Sequence, residues 1–421
     1  MNKKLTVEML SFLLITMMLG MTACVKNTCK QKHTYTYFEP VYKTKTEVKA
    51  NIKSNPARQL ENTGKIYILG NFIFLNEIDK GIHVIDNTNP SAPKNIAFID
   101  IPGNVDMAVK GNMLYADMYT DLVAIDITDP NNVKEKKVVD GIFPERYWGG
   151  GFVANRNAMV VDWVKKEMTV TENCEEGDAV FNGRADIFYS AAPSNSAGAA
   201  KSPVGVGGSM ARFTIVNDYL YAVNSHDLLS ISLVNAADPV VKEDIAAGFD
   251  IQTIYPFEDY LFLGSMGGMY IFDISNPAKP VAKSNFVHAT ACDPVISDGE
   301  YAYVTLRKGT NCGPAADELL VIDVRDLLSP SLVKTYSMTS PHGLSKDGDL
   351  LFICDGKDGL KTYDASDVRN LRLIKTIDGM ETYDVIAMNK VALVVAKDGL
   401  YQYSYADLAN IRLLSKITIN K

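Results

Sequence analysis

Seven copies of one short phrase constrain this chain more than any other feature of its 421 residues. The copies read GIHVIDNTNP, DLVAIDITDP, DLLSISLVNAADP, GGMYIFDISNP, ELLVIDVRDLLSP, GLKTYDASDV and GLYQYSYADL. Each ends an apolar run on a small polar residue: Asp86, Asp126, Ser232, Asp273, Asp323, Asp364 and Ser404. Successive anchors lie 40, 106, 41, 50, 41 and 40 residues apart. A strand-built unit of about 40 residues cannot bury its hydrophobic face alone and must stack on its neighbours, so the period means a propeller or a solenoid.

Each unit divides into four apolar runs. In the second copy these are residues 105–109, 113–117, 122–127 and 133–139, separated by Lys110-Gly111-Asn112, Tyr119-Thr120-Asp121 and Asp129-Pro130-Asn131-Asn132. Gly, Asn, Asp and Pro between short apolar runs are turn chemistry, so the unit is a four-stranded antiparallel meander. Such meanders repeated radially make an all-β propeller, and seven copies predict seven blades. Six is the alternative if the third or seventh copy, each with Ser in place of Asp, forms no whole blade, or if the amino-terminal segment takes part in closing the ring. The anchoring Asp recurs where a short carboxylate can accept turn N–H bonds, which makes it scaffold rather than a catalytic group.

The charge balance bounds the partners. With 42 basic against 50 acidic residues and a net charge of -8, the chain would repel a phosphate backbone, and no basic block overrides this locally. Residues 1–23 have the form of a signal peptide: Lys3 and Lys4, an apolar run over 9–19 too short to span a bilayer, then Met21-Thr22-Ala23 before Cys24. Residues 24–60 are polar and read as a tether whose later half, TYTYFEPVYKTKTEVKA, could add a strand or a helix turn to the body at 61–421.

The cores VIDNTNP, AIDITDP, IFDISNP and VIDVRD resemble the LVIVD repeat of bacterial and archaeal surface proteins and envelope lipoproteins. The resemblance covers residues 61–421 apart from one insertion; it implies a propeller of four-stranded repeats and little about activity. The segment Met21-Thr22-Ala23-Cys24 resembles a lipobox with Met21 where Leu is usual, which implies cleavage before Cys24 and diacylation of its thiol. An ordinary secretory signal cut nearby is the other reading. That start, the opening KIYILGNFIFLNEIDKGIHVID and the phrase WGGG are most similar to Bacteroidetes members, so the resemblance implies an outer-membrane lipoprotein of the cell envelope. Val25-Lys26-Asn27 follows Cys24 where exported relatives carry acidic residues, so a periplasmic and a surface position both stay open.

Two breaks in the period mark one face. The 50-residue step holds a long loop at 307–318 between second and third strands, and the 106-residue step holds an insertion at 145–208 between one blade and the next. In a propeller these two loop classes share a face, and functional insertions in repeat proteins gather on one face. Cys292 and Cys312 fall on that same face, and an oxidising envelope predicts a disulfide between them. Cys174 and Cys354 could form a second, which leaves Cys29 single; no close cysteine pair suggests zinc. Within the insertion, 152–171 reads as a hairpin and 190–208 as a small-residue loop, while Tyr147 and Trp148 could offer an aromatic platform to a sugar or peptide. Gly205 to Gly208 does not follow a strand and open a helix, so it is no dinucleotide fingerprint.

Aligned on their anchors, the repeats place Lys65, Asp106, Arg212, Gln252, Asp293, His342 and Asp384 near the start of each innermost strand, facing the channel on the decorated side. Such a ring could hold a cation or a polar ligand, or be polar because water fills the channel; no other cofactor is implied. Two function classes follow. One is a monomeric, lipid-anchored, non-catalytic scaffold that binds an envelope or extracellular protein, peptide or glycan. The other is an envelope hydrolase or lyase at the channel mouth, using His342 with Asp293 or Asp384 as acid and base. Five histidines and no Ser-His-Asp or metal-ligand spacing favour the first.

Overall fold

The structure is a computed structural model, and it describes residues 30–144, 158–173, 205–292, 294–309, 312–313 and 316–419. The repeats fold as seven four-stranded antiparallel blades arranged as a β-propeller. The innermost strands, blade by blade, are Thr63–Leu69, Met107–Lys110, Phe213–Val216, Ile251–Phe257, Val295–Ser297, Leu344–Asp347 and Thr382–Met388. The third and seventh copies form whole blades, so Ser at the anchor does not cost a blade.

Burial grades outward through each blade. In blade 2 the second strand, Met113–Met118, is buried throughout, whereas the outermost, Lys134–Val139, is exposed or half-buried throughout. The middle strands are packed on both sides, which is why they read as continuous apolar runs. All seven blades carry a register shift between third and fourth strands close to the anchor, for example between Ser230 and Ile231 and between Ile271 and Phe272. A bulge at that place raises the local twist that each wedge needs.

The anchors do what their chemistry predicts. Asp86 and Asp126 each accept from the backbone N–H and hydroxyl of the threonine two residues on, Thr88 and Thr128, at 2.6–3.0 Å. Asp273, Asp323 and Asp364 accept the backbone N–H of Ser275, Arg325 and Ser366 in the same way, and side-chain bonds from Lys283, Arg325 and Ser366, with these backbone bonds second to them, hold their carboxyls below the usual range. Neighbouring blades are then pinned through those turns. Tyr115 donates to the Ala236 carbonyl, Tyr221 to Pro277 and Tyr336 to Val368, at 2.7–3.0 Å.

Ring closure combines packing with one parallel backbone bridge, Leu60 to Ile419; the four strands of blade 1 come from the amino-terminal side and those of blade 7 from the carboxy-terminal side. Leu60, Ile66, Ile73, Leu75 and Ile85 of the first pack on Ile386, Leu393, Val395, Leu400 and Ile419 of the last. The amides of Asn87 and Gln402 pair across the seam at 2.7 and 3.0 Å.

The later half of the amino-terminal segment supplies the strand and the helix turn that its sequence allowed. A capped helix, Lys45–Lys49, buries Val48, and Lys53–Pro56 pairs with Lys94–Asp100 as a fifth strand on the outer edge of blade 1. A second compact unit contains a two-stranded sheet of Lys30–Lys43 and Met159–Asn173. Lys166 pairs with Glu39 there, and the hydroxyls of Thr34 and Thr169 lie 3.1 Å apart. Of the hairpin expected over 152–171, residues 152–157 lie outside the described residues, and 159–171 belong to one long strand whose partner lies more than a hundred residues upstream, a pairing that local sequence cannot reveal. No helix among the described residues is long and apolar enough to cross a membrane.

Candidate functional site

The two enlarged loops join the strand ends expected of them. The insertion leaves the outermost strand of blade 2 and returns to the innermost strand of blade 3, and the loop at 307–318 links Tyr301–Leu306 to Glu318–Asp323 in blade 5. Both therefore open on one face of the propeller. Cys292 and Cys312 form a disulfide on that face with their Cα atoms 4.6 Å apart, tying the entry of blade 5 to its own long loop. Cys354 is a free, fully buried thiol raised well above the usual range by burial, so it forms no second bridge. Cys24, Cys29, Tyr147, Trp148, Cys174 and Asp293 lie outside the described residues.

The channel is occupied by the chain itself. After the insertion, Val206 and Gly207 pair antiparallel with Ile68 and Tyr67 as an extra strand on the inner edge of blade 1. The following residues cross the centre: Ser209 accepts the Leu344 N–H of blade 6 at 2.5 Å, and the Ala211 carbonyl accepts the Ile254 N–H of blade 4 at 2.9 Å. Small side chains are required here. A Cβ on Gly208 would lie 2.2 Å from Asp384 Oδ2, and one on Gly205 would lie 2.2 Å from the Tyr67 ring.

The expected ring divides around this segment. Lys65, Asp106 and Asp384 are all at most 4% exposed, so at these blades the channel mouth is not open to water. Lys65 Nζ donates to Asp106 Oδ2 at 2.8 Å, and that oxygen also accepts the Arg212 backbone N–H at 2.5 Å. The Arg212 guanidinium lies 3.5 Å from Asp117 Oδ2, while Asp117 Oδ1 accepts from Asn104 Nδ2 and from the backbone of Val105 and Asp106. Burial drives the Lys65 ammonium below its usual range against the pull of Asp106. Asp384 goes the other way. Burial raises its carboxyl to about 8, opposed by backbone bonds and the Lys65 charge, and its Oδ2 has no hydrogen-bond partner.

His342 stands apart from that cluster. Its Nδ1 donates to the Ser340 carbonyl at 2.7 Å, and its ring meets Tyr383 edge-on with centroids 5.6 Å apart. Burial, helped by the charge of Arg307, lowers it to about 4, so it is neutral at neutral pH. Gln252 is half-buried on the first strand of blade 4. Among the described residues, no three His, Cys, Asp or Glu side chains are grouped to hold a metal ion.

Two features escaped sequence reasoning. One is the crossing segment, for which the run GVGGSMA before blade 3 was the signal: small residues mark close backbone approach as well as looseness. The other is a depression of about 860 Å³ on the opposite face, lined by the first-to-second-strand turns of blades 5 to 7, by Tyr255 and Phe257 on the first strand of blade 4, and by the third-to-fourth-strand turn of blade 6 at 365–369. No motif marks it, because it is assembled from four separate repeats.

With this geometry in place, the LVIVD repeat is recognised at residues 62–98, 103–141 and 252–287, which fall on blades 1, 2 and 4. No curated protein matches the chain in sequence. Among solved structures, dihydro-heme d1 dehydrogenase NirN in complex with DHE aligns with a TM-score of 0.50 at 13% identity, over 87% of this chain and 68% of that one. The periplasmic gluconolactonase PpgL of Pseudomonas aeruginosa aligns with 0.50 at 10% identity, over 85% and 96%. A functionally unknown protein from Desulfotomaculum acetoxidans aligns with 0.48 at 11%, over 85% and 95%. At these identities the likeness is one of fold.

Proposed function

We propose that this chain is a lipid-anchored propeller of the cell envelope that acts as a non-catalytic scaffold, binding a protein, peptide or glycan across its decorated face. The observation that carries this is the self-filled channel. The place where a propeller would gather catalytic groups is taken by residues 205–212, and the charged residues there bind one another. What remains available on the decorated side is loop surface, and it carries apolar side chains in water. Phe249 is 67% exposed beside His226, and Val287 is 72% exposed. Phe249 lies in the loop from blade 3 to blade 4 and Val287 at the end of the outermost strand of blade 4, so a partner docking on this face would cover both. The competing acid–base role for His342 draws less support, since a histidine lowered to about 4 is a weak base at neutral pH.

The test is capture from envelope extract with the full chain and a Phe249→Asp/Val287→Asp variant. A partner retained by the wild type and lost by the variant supports the scaffold. An activity lost in His342→Ala while every partner is kept would favour a hydrolase or lyase. The anchor is tested separately: a labelled fatty acid incorporated by the wild type and not by Cys24→Ser supports lipidation, and equal labelling of both excludes it.

A further inference from the structure

We infer that the depression on the opposite face is a second binding site, one that takes a neutral or amino-bearing oligosaccharide. This goes beyond the scaffold reading, because it concerns the face opposite the two enlarged loops. Its volume of about 860 Å³ falls within the roughly 300–1,000 Å³ of small-ligand sites. Val206 of the crossing segment is part of its lining, so the chain's own plug gives the depression a floor.

The walls are pre-set. The turn before Tyr301 passes through Gly299 at φ +92, and a Cβ there would stand 2.6 Å from the Phe257 ring, so Gly299 lets that ring lie against the turn. Tyr301 and Phe257 are each half-buried on the lining and offer apolar ring surface to the C–H face of a sugar. Between them Asp298 is held by four donors: the Glu300 and Tyr301 N–H groups on Oδ1, and Tyr303 Oη and Lys346 Nζ on Oδ2, all at 2.8–3.1 Å. Lys346 Nζ also donates to the Gly348 carbonyl at 2.7 Å, which fixes an ammonium in the wall. Asp347 Oδ2 accepts from Tyr405 Oη at 2.7 Å, and its Oδ1 takes no hydrogen bond among the described residues.

The chemistry of the occupant follows from two features. A sugar hydroxyl both donates and accepts, and so wants donors and acceptors set close together on rigid supports; Lys346, Asn389, Ser366 and Asp347 supply that mixture. The charge is one-sided, with five carboxylates on the lining against Lys346 and Arg369. Glu300, Asp349 and Asp367 make no ion pair among the described residues, so the rim repels an anionic glycan and welcomes an amine. A peptide would ask instead for deep apolar anchor pockets, and apart from Met388 the non-aromatic apolar lining is short: Val206, Ala365, Val368 and Ala387.

The experiment is isothermal titration of the full chain with three trisaccharides: triacetylchitotriose, its deacetylated amine and trigalacturonate. The expected result is saturable binding of the neutral or amino trisaccharide and none of the uronate. Tyr301→Ala is expected to weaken binding about tenfold, the scale of one lost stacking partner. Asp349→Lys, an exposed turn substitution that leaves folding intact, is expected to weaken the amino form similarly and decides the matter should Tyr301→Ala fail to fold. Binding of none of the three, preference for the uronate, or affinity untouched by Asp349→Lys and by a folded Tyr301→Ala overturns the inference. So does trilysine binding where no sugar does. The Phe249→Asp/Val287→Asp variant must keep its sugar affinity, which separates this site from the decorated face.

Discussion

Replacing Asp384 with Asn gives the sharpest expected signature, because its carboxyl is the most strongly displaced acid at the centre of the ring. Buried and raised to about 8, it holds its proton more tightly in the native state than in the unfolded chain, where the ordinary value of 3.8 applies. Its contribution is therefore fully present below the ordinary carboxylate range and is lost as pH rises through about 8. His342 has the opposite sign. Lowered from 6.5 to about 4, it binds its proton less tightly when folded, so stability is lost as pH falls from 6.5 towards 4. From roughly pH 4.5 to 6.5 Asp384 removes about 2.5 kcal/mol and His342 restores about 2, so the two nearly cancel. From roughly pH 6.5 to 9 Asp384 removes about 2 kcal/mol, opposed only by the lowered Lys65, whose contribution is common to wild type and Asp384→Asn. Urea unfolding followed by fluorescence across this range should show a wild-type plateau and then a fall. Asp384→Asn, which mimics the neutral acid, should lose the fall, and His342→Gln should expose a decline within the plateau. Parallel curves for the wild type and Asp384→Asn above about pH 6.5 would refute the claim that the channel core holds a protonated carboxyl.

Three further outcomes can be checked. Cys292→Ser should cost about 3 kcal/mol for a loop of about 20 residues, visible as a melting-temperature drop that reductant reproduces in the wild type; non-reducing peptide mapping that finds both thiols free contradicts the bridge. Gly208→Ala pushes a methyl against Asp384 Oδ2 and should destabilise by about 1–3 kcal/mol in the same urea assay, whereas a neutral result means that the segment does not sit in the channel. Asp126→Ala removes the two bonds to Thr128 and should cost about 1 kcal/mol with partner capture intact; lost capture would contradict a purely structural anchor.

The blades were legible because each rests on local information that recurs. An apolar run ending on Asp or Ser, followed in four of the seven blades by Thr or Ser two residues on, fixes strands and turns without reference to anything distant. Cys292 and Cys312 were legible for the same reason, since both belong to one blade. The path of residues 205–212 was not, because its bonds run to Ile68, Leu344 and Ile254, which lie in three different repeats. Nor was the fate of the polar ring. Alignment on the anchors placed Lys65, Asp106, Arg212 and Asp384 near the axis, but only the crossing segment determines that the first two bind each other in the dry. His342, at the matching position of blade 6, turns to its own loop at Ser340. Equal spacing along the chain fixes where a Cα lies and leaves the side chain to its neighbours.

A filled channel changes where specificity can be written. A ligand meets this propeller only at its faces, and the two faces are made from different loop classes. On the decorated face length is free: the insertion and the loop at 307–318 vary it, and a disulfide then stiffens one of the results. On the other face the third-to-fourth-strand turns are fixed by the anchors, since a carboxylate that must reach an N–H two residues on permits one local geometry. In the first-to-second-strand turns no such bond recurs around the ring: Asp298 accepts the Glu300 N–H in blade 5, whereas Asp347 in blade 6 accepts from Tyr405 instead. Asp298, Glu300, Asp347 and Asp349 lie in or beside two of them, in blades 5 and 6, and carry most of the acidic lining of the depression. Specificity on that face is therefore set by side-chain identity at nearly constant length, on a backbone that the anchors hold still.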